Sequence, residues 1–231
     1  MYSRGYLFCI IQESMKIIAI GSHLDDIEIG AGGTLSKLVQ EGNEVKMLVM
    51  SESAFADFDG NMVRTREEAM REGHNAAEIL GAGSIEILDF PNKDIPYNST
   101  IVEVIDSCLT HFQPDLIFTH SPYDTHQDHH NTALASISAA RYFNNVLFYE
   151  PFHPAGKSYM PYRPQIYFDI SDTLEKKIAM LEAHESQLKR YGENWIKAII
   201  GRAKLRGFEC GVEHAETFEC LRLKLSQFKI K

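Results

Sequence analysis

The sequence predicts an α/β fold: a Rossmann-like, mostly parallel sheet with helices on both faces and a carboxy-terminal elaboration. Short apolar runs alternate with longer stretches of helical periodicity over the first two-thirds of the chain. The first of these runs is rich in isoleucine, as expected of a strand that is covered on both faces. Polar clusters follow two of the runs, at the edge where open α/β sheets bind ligands.

Five strands are predicted in this region: KIIAIGS, EVKMLVMS, SIEILDF, DLIFTH and NVLFYEP. Helices are predicted between them, at about residues 30–42, 64–81, 98–112 and 129–141. Gly42 and Gly81 stand where helix C-caps are expected, and Pro114 precedes the fourth strand. The βαβα order indicates parallel strands joined by right-handed crossovers.

The last third of the chain departs from this alternation. A proline-rich loop leads into a short strand, QIYFDI, and helices are expected at about residues 172–190 and 194–207 before a last strand, AETFECLRL. We interpret residues 15–231 as one domain. Because Met15 directly precedes the first strand, we interpret residues 1–14 as an amino-terminal extension, either an upstream start or a disordered lead.

Composition narrows the class of protein. The 231 residues are enough for a sizeable core, and a hydrophobic content of 44% argues against disorder. A formal net charge of −9 disfavours a nucleic acid partner. No apolar run reaches the length of a membrane span, the segment YLFCII is too short for a secretory signal, and the four cysteines suit free thiols. We therefore expect a cytoplasmic protein without stable membrane insertion; homo-oligomerisation stays open.

Two polar clusters follow strand ends that can lie side by side in a doubly wound sheet. The first contains His23, Asp25 and Asp26, and the second contains Asp124, His126, Asp128 and His129. Histidine and aspartate supply the nitrogen and oxygen ligands that suit zinc, and three protein ligands leave a fourth position for water. The pattern therefore indicates a catalytic metal site.

Spacing alone suggests which residues are metal ligands, which is the base and which is a hydrogen-bond donor. His23 and Asp26 can converge from one short turn, and His129 can point back from the first turn of its helix. Asp25 cannot easily share the direction of its neighbour, so it is a candidate base. His126 would lie across the site as a hydrogen-bond donor. This division of roles is a hypothesis.

The two clusters also resemble known signatures. SHLDDIEIGAGGTL is similar to the HPDDE-x-x-G-x-GGT signature of the LmbE-like (PIG-L) zinc de-N-acetylases, and THQDHH is similar to their second signature, H-P-D-H. Further similarity runs through RTREEAMREGHNAAEILGA to GRAKLRGFECGVEHAETFE. The resemblance implies a zinc-dependent hydrolase that removes the acetyl group from an N-acetylated amino sugar of the GlcNAc type, releasing acetate and a free amine.

The family resemblance also implies residue roles. It places the zinc ligands at His23, Asp26 and His129, the general base at Asp25 and a second catalytic histidine at His126. Iron(II) or another divalent ion suits the same nitrogen and oxygen ligands, so the native metal is left open.

Other positions of the signatures carry further expectations. Asp128 matches an acidic residue that orients or tunes the second catalytic histidine, and Arg66 matches an arginine near the substrate. Leu24 and Gln127 replace the prolines usual in the two signatures. Because neither proline supplies a ligand, we expect altered loop rigidity and retained chemistry.

Weaker signals concern the substrate. Asn92 and Asp94 follow a third strand and suit either sugar hydroxyls or a turn, and His214 suits either a substrate contact or packing. GAGGT lacks the spacing of a dinucleotide-binding loop, and we interpret its glycines as sites of close packing. His120, His130 and His184 receive no role.

Two other functions compete with deacetylation. A two-metal phosphoesterase is suggested by DHH at residues 128–130 and by the aspartates at both strand ends, but the sequence offers no further cluster for a second ion. A non-catalytic sugar- or metal-binding module is disfavoured because every catalytic role is filled. The identity of the N-acetylated substrate is left open.

Overall fold

The computed structural model describes residues 14–152 and 157–224. Its strands within these ranges are β1 (Lys16–Gly21), β2 (Glu44–Val49), β3 (Phe55–Ala56), β4 (Met62–Arg64), β5 (Ser84–Ile87), β6 (Leu116–Thr119), β7 (Val146–Tyr149), β8 (Ile166–Asp169) and β9 (Ala215–Arg222). Seven of them form one sheet in the order β5-β2-β1-β6-β7-β9-β8, while β3 and β4 pair as a separate hairpin.

The helices of the described ranges are α1 (Asp26–Gln40), α2 (Arg66–Leu80), α3 (Ser99–Phe112), α4 (Gln127–Ala139), α5 (Leu174–Glu182), α6 (Glu185–Tyr191) and α7 (Glu193–Cys210). The first five strands of the sheet order pair in parallel. β9 is antiparallel to both β7 and β8. The predicted α/β fold, with a mostly parallel sheet and a different carboxy-terminal part, is therefore confirmed.

Strand β1 is buried on both faces, which explains its isoleucines. Ile17 packs with residues of α1 and α2 on one face. Ile18 packs with residues of α3 and α4 on the other face. Side chains of successive strand residues point to opposite faces, so one strand contributes to two cores. The expected helices on both faces are present.

The glycines of GAGGT lie inside α1, where they permit close packing. A Cβ atom at Gly30 would lie 2.6 Å from the ring of Tyr149, and one at Gly33 would lie 2.8 Å from Ile170. Such distances are well below van der Waals contact, so any larger residue would push the helix away from its neighbours. The interpretation of these glycines as packing positions is confirmed.

Two local predictions were wrong, and one element was missed. α1 begins at Asp26, not near residue 30, because the polar loop residues themselves form the first helical turn. The single helix predicted at 172–190 is two helices, α5 and α6, separated at Ala183 and His184. The β3–β4 hairpin was not predicted, because strands of two and three residues give almost no periodicity. The predicted amino-terminal extension, residues 1–14, falls outside the described residues except at residue 14. No described helix combines the length and apolar composition needed to cross a membrane.

Candidate active site

The two polar clusters meet at one edge of the sheet. One follows β1 and the other lies between β6 and α4, and β1 and β6 are adjacent parallel strands. A cavity of about 340 Å³ opens at this edge. Its lining includes six residues of the two clusters and the residue after β6: His23, Asp25, Asp26, Asp124, His126, His129 and, after β6, His120.

Asp25 stands apart from its neighbours in backbone and side chain. Its φ of 138° lies in a region that residues with a Cβ atom rarely adopt, and it precedes the first turn of α1. Its carboxylate lines the cavity without a hydrogen bond to any residue in the described ranges. Burial, together with repulsion from Asp26, raises the pKa of Asp25 to about 6. The group is thus ionised at neutral pH and able to accept a proton.

Asp26 is the central carboxylate of the site. Its Oδ2 accepts hydrogen bonds from the amides of Ser22 (3.1 Å) and His23 (2.7 Å). Its Oδ1 lies 3.3 Å from Nε2 of His129, and its Oδ2 lies 3.3 Å from Nδ1 of His23. Burial raises the pKa of Asp26, but the charges of His129 and His120 outweigh it and hold the pKa well below its usual range.

Two further carboxylates fix the imidazoles on either side of Asp26. Asp128 Oδ2 lies 2.9 Å from Nε2 of His23, and Asp124 Oδ2 lies 2.9 Å from Nδ1 of His129. Each carboxylate accepts a hydrogen bond from its histidine, which leaves His23 Nδ1 and His129 Nε2 facing Asp26. Carboxylates behind metal-ligating histidines play this orienting role in metal sites.

The same carboxylates create a strongly negative environment. Burial lowers the pKa of His23, but its hydrogen bonds to Asp128 and Asp26 raise it to about 9. Burial also lowers the pKa of His129, but the charge of Asp26 and the hydrogen bond to Asp124 raise it to about 10. An environment that attracts protons this strongly also attracts a cation, which binds in place of those protons.

The donor atoms fit a metal ion. Within the described ranges, three overlapping groups bring their donor atoms within 4.8 Å of one another: His23, Asp26 and His129; His120, Asp124 and His129; and His23, His126 and Asp128. Only the first group leaves Asp124 and Asp128 to orient the histidines. In addition, His129 Nε2 is buried without any hydrogen-bond partner among the described residues, as expected of a ligand atom. His23, Asp26 and His129 could therefore hold one divalent ion.

His126 is a neutral donor at the same site. Its Nδ1 accepts a hydrogen bond from the amide of Asp128 (3.2 Å), so its proton is on Nε2. Burial, together with the charges of His129 and His23, lowers the pKa of His126 to about 4. The ring stacks on His129 with centroids 4.4 Å apart. His126 can therefore donate a hydrogen bond from Nε2 without being protonated twice.

Asp128 has a different partner from the expected one. Its carboxylate contacts His23 and accepts hydrogen bonds from the amides of Lys93 (2.7 Å) and Ile95 (3.1 Å). Only its backbone amide contacts His126. The expectation that its carboxylate orients His126 was therefore wrong, because the first turn of α4 directs this side chain toward the loop after β5. Its charge does tune His126: it raises the pKa of that histidine, against the larger lowering by burial.

The predicted substrate contacts do not all reach the cavity. Asn92 lines the cavity, and its side chain donates to the carbonyl of Ala54. The other three, Arg66, Asp94 and His214, lie outside the cavity lining. Arg66 is 54% exposed and pairs with Asp89, while Asp94 is exposed and His214 is buried. Their roles as substrate contacts stay predictions.

Several residues that the structure brings to the site had no predicted role. His120 is buried, with Nε2 3.1 Å from Asp26 Oδ2, and burial and the charge of His129 lower its pKa to about 4. His120 ends the predicted strand DLIFTH, and His23 closely follows the predicted strand KIIAIGS. This shared position at a strand end could have predicted that His120 reaches the site. The rest of the lining comes from distant segments and includes Phe55, Phe152, Arg190, Tyr191 and Trp195.

His184 belongs to a buried ionic network behind the loop that follows β1 and carries His23 and Asp25. Its Nε2 lies 3.1 Å from Glu28, and its Nδ1 lies 3.2 Å from Arg64. Arg64 also bonds Glu72 and donates to the carbonyl of Leu24, the residue before Asp25. A buried arginine with these partners holds the loop backbone in place.

Comparison with known proteins identifies the family. Residues 18–140, more than half of the chain, match the family described as PIG-L: GlcNAc-PI de-N-acetylase. The chain belongs to this family. The resemblance seen in the two signatures is therefore confirmed, and the family is one of deacetylases.

Proteins similar to this chain are named for different activities. The chain is 31% identical to the diacetylchitobiose deacetylase of Thermococcus kodakarensis, over 74% of this chain and 70% of that protein. The structure of the N,N'-diacetylchitobiose deacetylase from Pyrococcus horikoshii superposes with a TM-score of 0.78 at 24% identity, over 91% of this chain and 85% of that one, and thus shares its fold. A 4-oxalmesaconate hydratase of Pseudomonas putida is 25% identical, over 81% of each chain.

Proposed function

We propose that this PIG-L family member is a zinc-dependent de-N-acetylase that hydrolyses the acetamide of an N-acetylated amino sugar of the GlcNAc type. The observation that carries the proposal is the buried, unpartnered Nε2 of His129, which faces Asp26 and His23 beside the unpaired carboxylate of Asp25. A metal position next to a free base is the arrangement that amide hydrolysis by water requires.

His23, Asp26 and His129 would hold the zinc ion. Two imidazole nitrogens and a carboxylate oxygen are a ligand set that catalytic zinc uses. When bound, zinc supplies Lewis acidity, which polarises the acetamide carbonyl and makes water a stronger acid. Asp124 and Asp128 keep the two imidazoles in the tautomers that ligation needs.

The other site residues move protons and stabilise charge. Asp25 accepts a proton from the attacking water as the water oxygen bonds to the acetyl carbon. His126 donates a hydrogen bond from Nε2 to the carbonyl oxygen as negative charge develops there, and keeps its hydrogen. When the carbon–nitrogen bond breaks, the leaving nitrogen takes up a proton, and Asp25 holds the one it has just accepted. The products are acetate and a free amine.

The chemistry of the alternatives is less well supported. Among the described residues, the group His23, Asp26 and His129 shares His23 with one of the other donor groups and His129 with the other. An ion held by this group therefore leaves neither other group complete, whereas a two-metal phosphoesterase needs two ions. Hydratase activity in one relative makes the released product the deciding measurement.

The test is a screen of N-acetylated sugars for released amine and acetate. The protein is stripped with a chelator and assayed before and after one equivalent of zinc is returned. Activity that disappears with the metal and returns with zinc supports the proposal. Full activity in metal-free protein, or a zinc-loaded protein that deacetylates nothing in the screen, contradicts it.

A further inference from the structure

We propose that Lys93 and Arg190 bind an anionic group, a phosphate or a carboxylate, at the end of the substrate remote from the acetamide. This inference rests on the proposed deacetylase function and names the substrate class: N-acetylated sugars that carry an acidic substituent. The two residues lie on separate segments, the loop after β5 and helix α6, and both line the cavity.

The two cations lie at the mouth of the cavity. Both side chains are exposed, whereas Asp26 and His129 at the floor are buried. Lys93 Nζ lies 5.4 Å from the centroid of the Phe55 ring, and the guanidinium carbon of Arg190 lies 4.6 Å from the same centroid. One aromatic ring thus contacts both charges and keeps them close together.

Neither cation has a carboxylate partner within residues 14–152 and 157–224. The Lys93 ammonium donates only to the carbonyl of Ala56 (3.3 Å). By contrast, Arg66 and Arg71, which lie outside the cavity, pair with acidic side chains. The chain has 32 acidic residues for 23 basic ones, so partners are abundant. Two like charges without partners give the cavity mouth a positive potential that attracts an anion.

The backbone of Lys93 is held in a costly conformation. Its φ of 70° is in the left-handed region, where lysine is disfavoured relative to glycine or asparagine. Asp128 accepts a hydrogen bond from its amide (2.7 Å), and Gln127 donates one to its carbonyl (3.0 Å). Because Asp128 also orients His23, one carboxylate fixes Lys93 relative to the reaction centre.

Gln127 holds the backbone of Lys93 through a residue in which this chain departs from its family. It replaces the proline usual in the family signature, and a proline has no side-chain donor for the carbonyl of Lys93. The departure from the signature therefore coincides with the anchoring of a cation at the cavity mouth.

The lining of the cavity suits a sugar ring. Phe55, Tyr191 and Trp195 contribute aromatic surface to it. Arg190 also stacks on Tyr191, at 4.8 Å, which leaves the guanidinium edge free for hydrogen bonds. A substrate with its acetamide at the floor thus presents its far end to Lys93 and Arg190.

The test compares substrates that share one acetamide and differ in charge. The zinc-loaded protein is assayed for amine release from the methyl glycoside of N-acetylglucosamine, N-acetylglucosamine 1-phosphate and the carboxymethyl glycoside. We expect kcat/KM to favour at least one anionic substrate by about tenfold or more, as for a charged hydrogen bond. Arg190→Gln and Lys93→Met should each reduce this ratio, mainly through KM. Lys189→Gln makes the same charge change on α6 outside the cavity lining and should leave the ratio unaltered.

The outcomes separate this proposal from the proposed function. Equal kcat/KM for neutral and anionic substrates overturns anion binding and leaves deacetylation standing. If no substrate is deacetylated, the proposed function fails, and anion binding is then tested by calorimetry with glucosamine 1-phosphate and with glucosamine. Tighter binding of the phosphate that Arg190→Gln abolishes supports anion binding at these residues. Equal binding of the two ligands overturns it. In the same calorimetry, a preference for phosphate that survives in the double variant Lys93→Met/Arg190→Gln but is lost when the zinc is removed places the anion on the metal, which also overturns the proposal.

Discussion

Asp128→Asn tests whether this carboxylate acts on the metal through His23. Its Oδ2 accepts hydrogen bonds from His23 and Lys93, and its Oδ1 accepts one from the amide of Ile95. Asparagine has one acceptor oxygen, so its NH₂ group must face a donor. The unpaired donor should lower the free energy of unfolding by about 1–3 kcal/mol. A misoriented His23 should weaken zinc binding by about 10–100-fold, or about 1.4–2.7 kcal/mol.

The assay is a zinc competition against a chromogenic chelator, followed by turnover at saturating zinc and by thermal unfolding. Asp124→Asn should weaken zinc binding similarly through His129. Asp172→Asn, at an exposed residue that pairs with Lys37, is the control and should retain the wild-type affinity. If Asp128→Asn keeps wild-type zinc affinity while turnover falls at saturating zinc, the carboxylate acts through His126, and the role derived from the contact with His23 is refuted.

Three further predictions concern the loop and the helices around the site. Asp25→Asn should keep its zinc but lose a proton acceptor, which lowers turnover by roughly 10²–10⁴, whereas Asp26→Asn should lose zinc; metal content and turnover are measured in parallel. His129→Ala should lose metal and activity together, while His126→Ala should keep the metal and turn over slowly, because it loses the donor to the carbonyl oxygen. Gly30→Ala places a methyl group 2.6 Å from an aromatic ring and should lower the free energy of unfolding by about 1–3 kcal/mol in denaturant titrations.

Contrary results are equally specific. A zinc-free Asp25→Asn beside a zinc-loaded Asp26→Asn would reverse the two roles. Equal metal loss in His126→Ala and His129→Ala would make both histidines ligands. Wild-type stability of Gly30→Ala would show that α1 can shift at little cost.

The parts of the molecule that were predictable are those with local patterns. The isoleucines of β1 and the polar residues after it are consecutive in the chain, and the rule for parallel strand ends brings them to the cluster after β6. His23, Asp25 and Asp26 could be found in this way. The family resemblance added roles for them; the residues line the cavity, and the roles stay predictions.

The rest depended on tertiary contacts that no local pattern encodes. Arg190 and Trp195 reach the cavity from α6 and α7, far along the chain from the signatures. The break between α5 and α6 places His184 on Glu28 and Arg64, an arrangement visible only once three segments are packed together. The partner of Asp128 was also mistaken, because the family resemblance implied that it orients His126, whereas the first turn of α4 directs its carboxylate to His23.

The strand order also has a consequence for biosynthesis. β9 follows β8 in the chain but lies between β7 and β8 in the sheet, and β9 is the strand with which β8 pairs. Every residue that lines the cavity precedes α7 or lies in its first turn. A nascent chain on the ribosome therefore exposes the complete set of cavity residues before it can close the sheet. Until β9 emerges, β7 has an open edge and β8 has no strand to join.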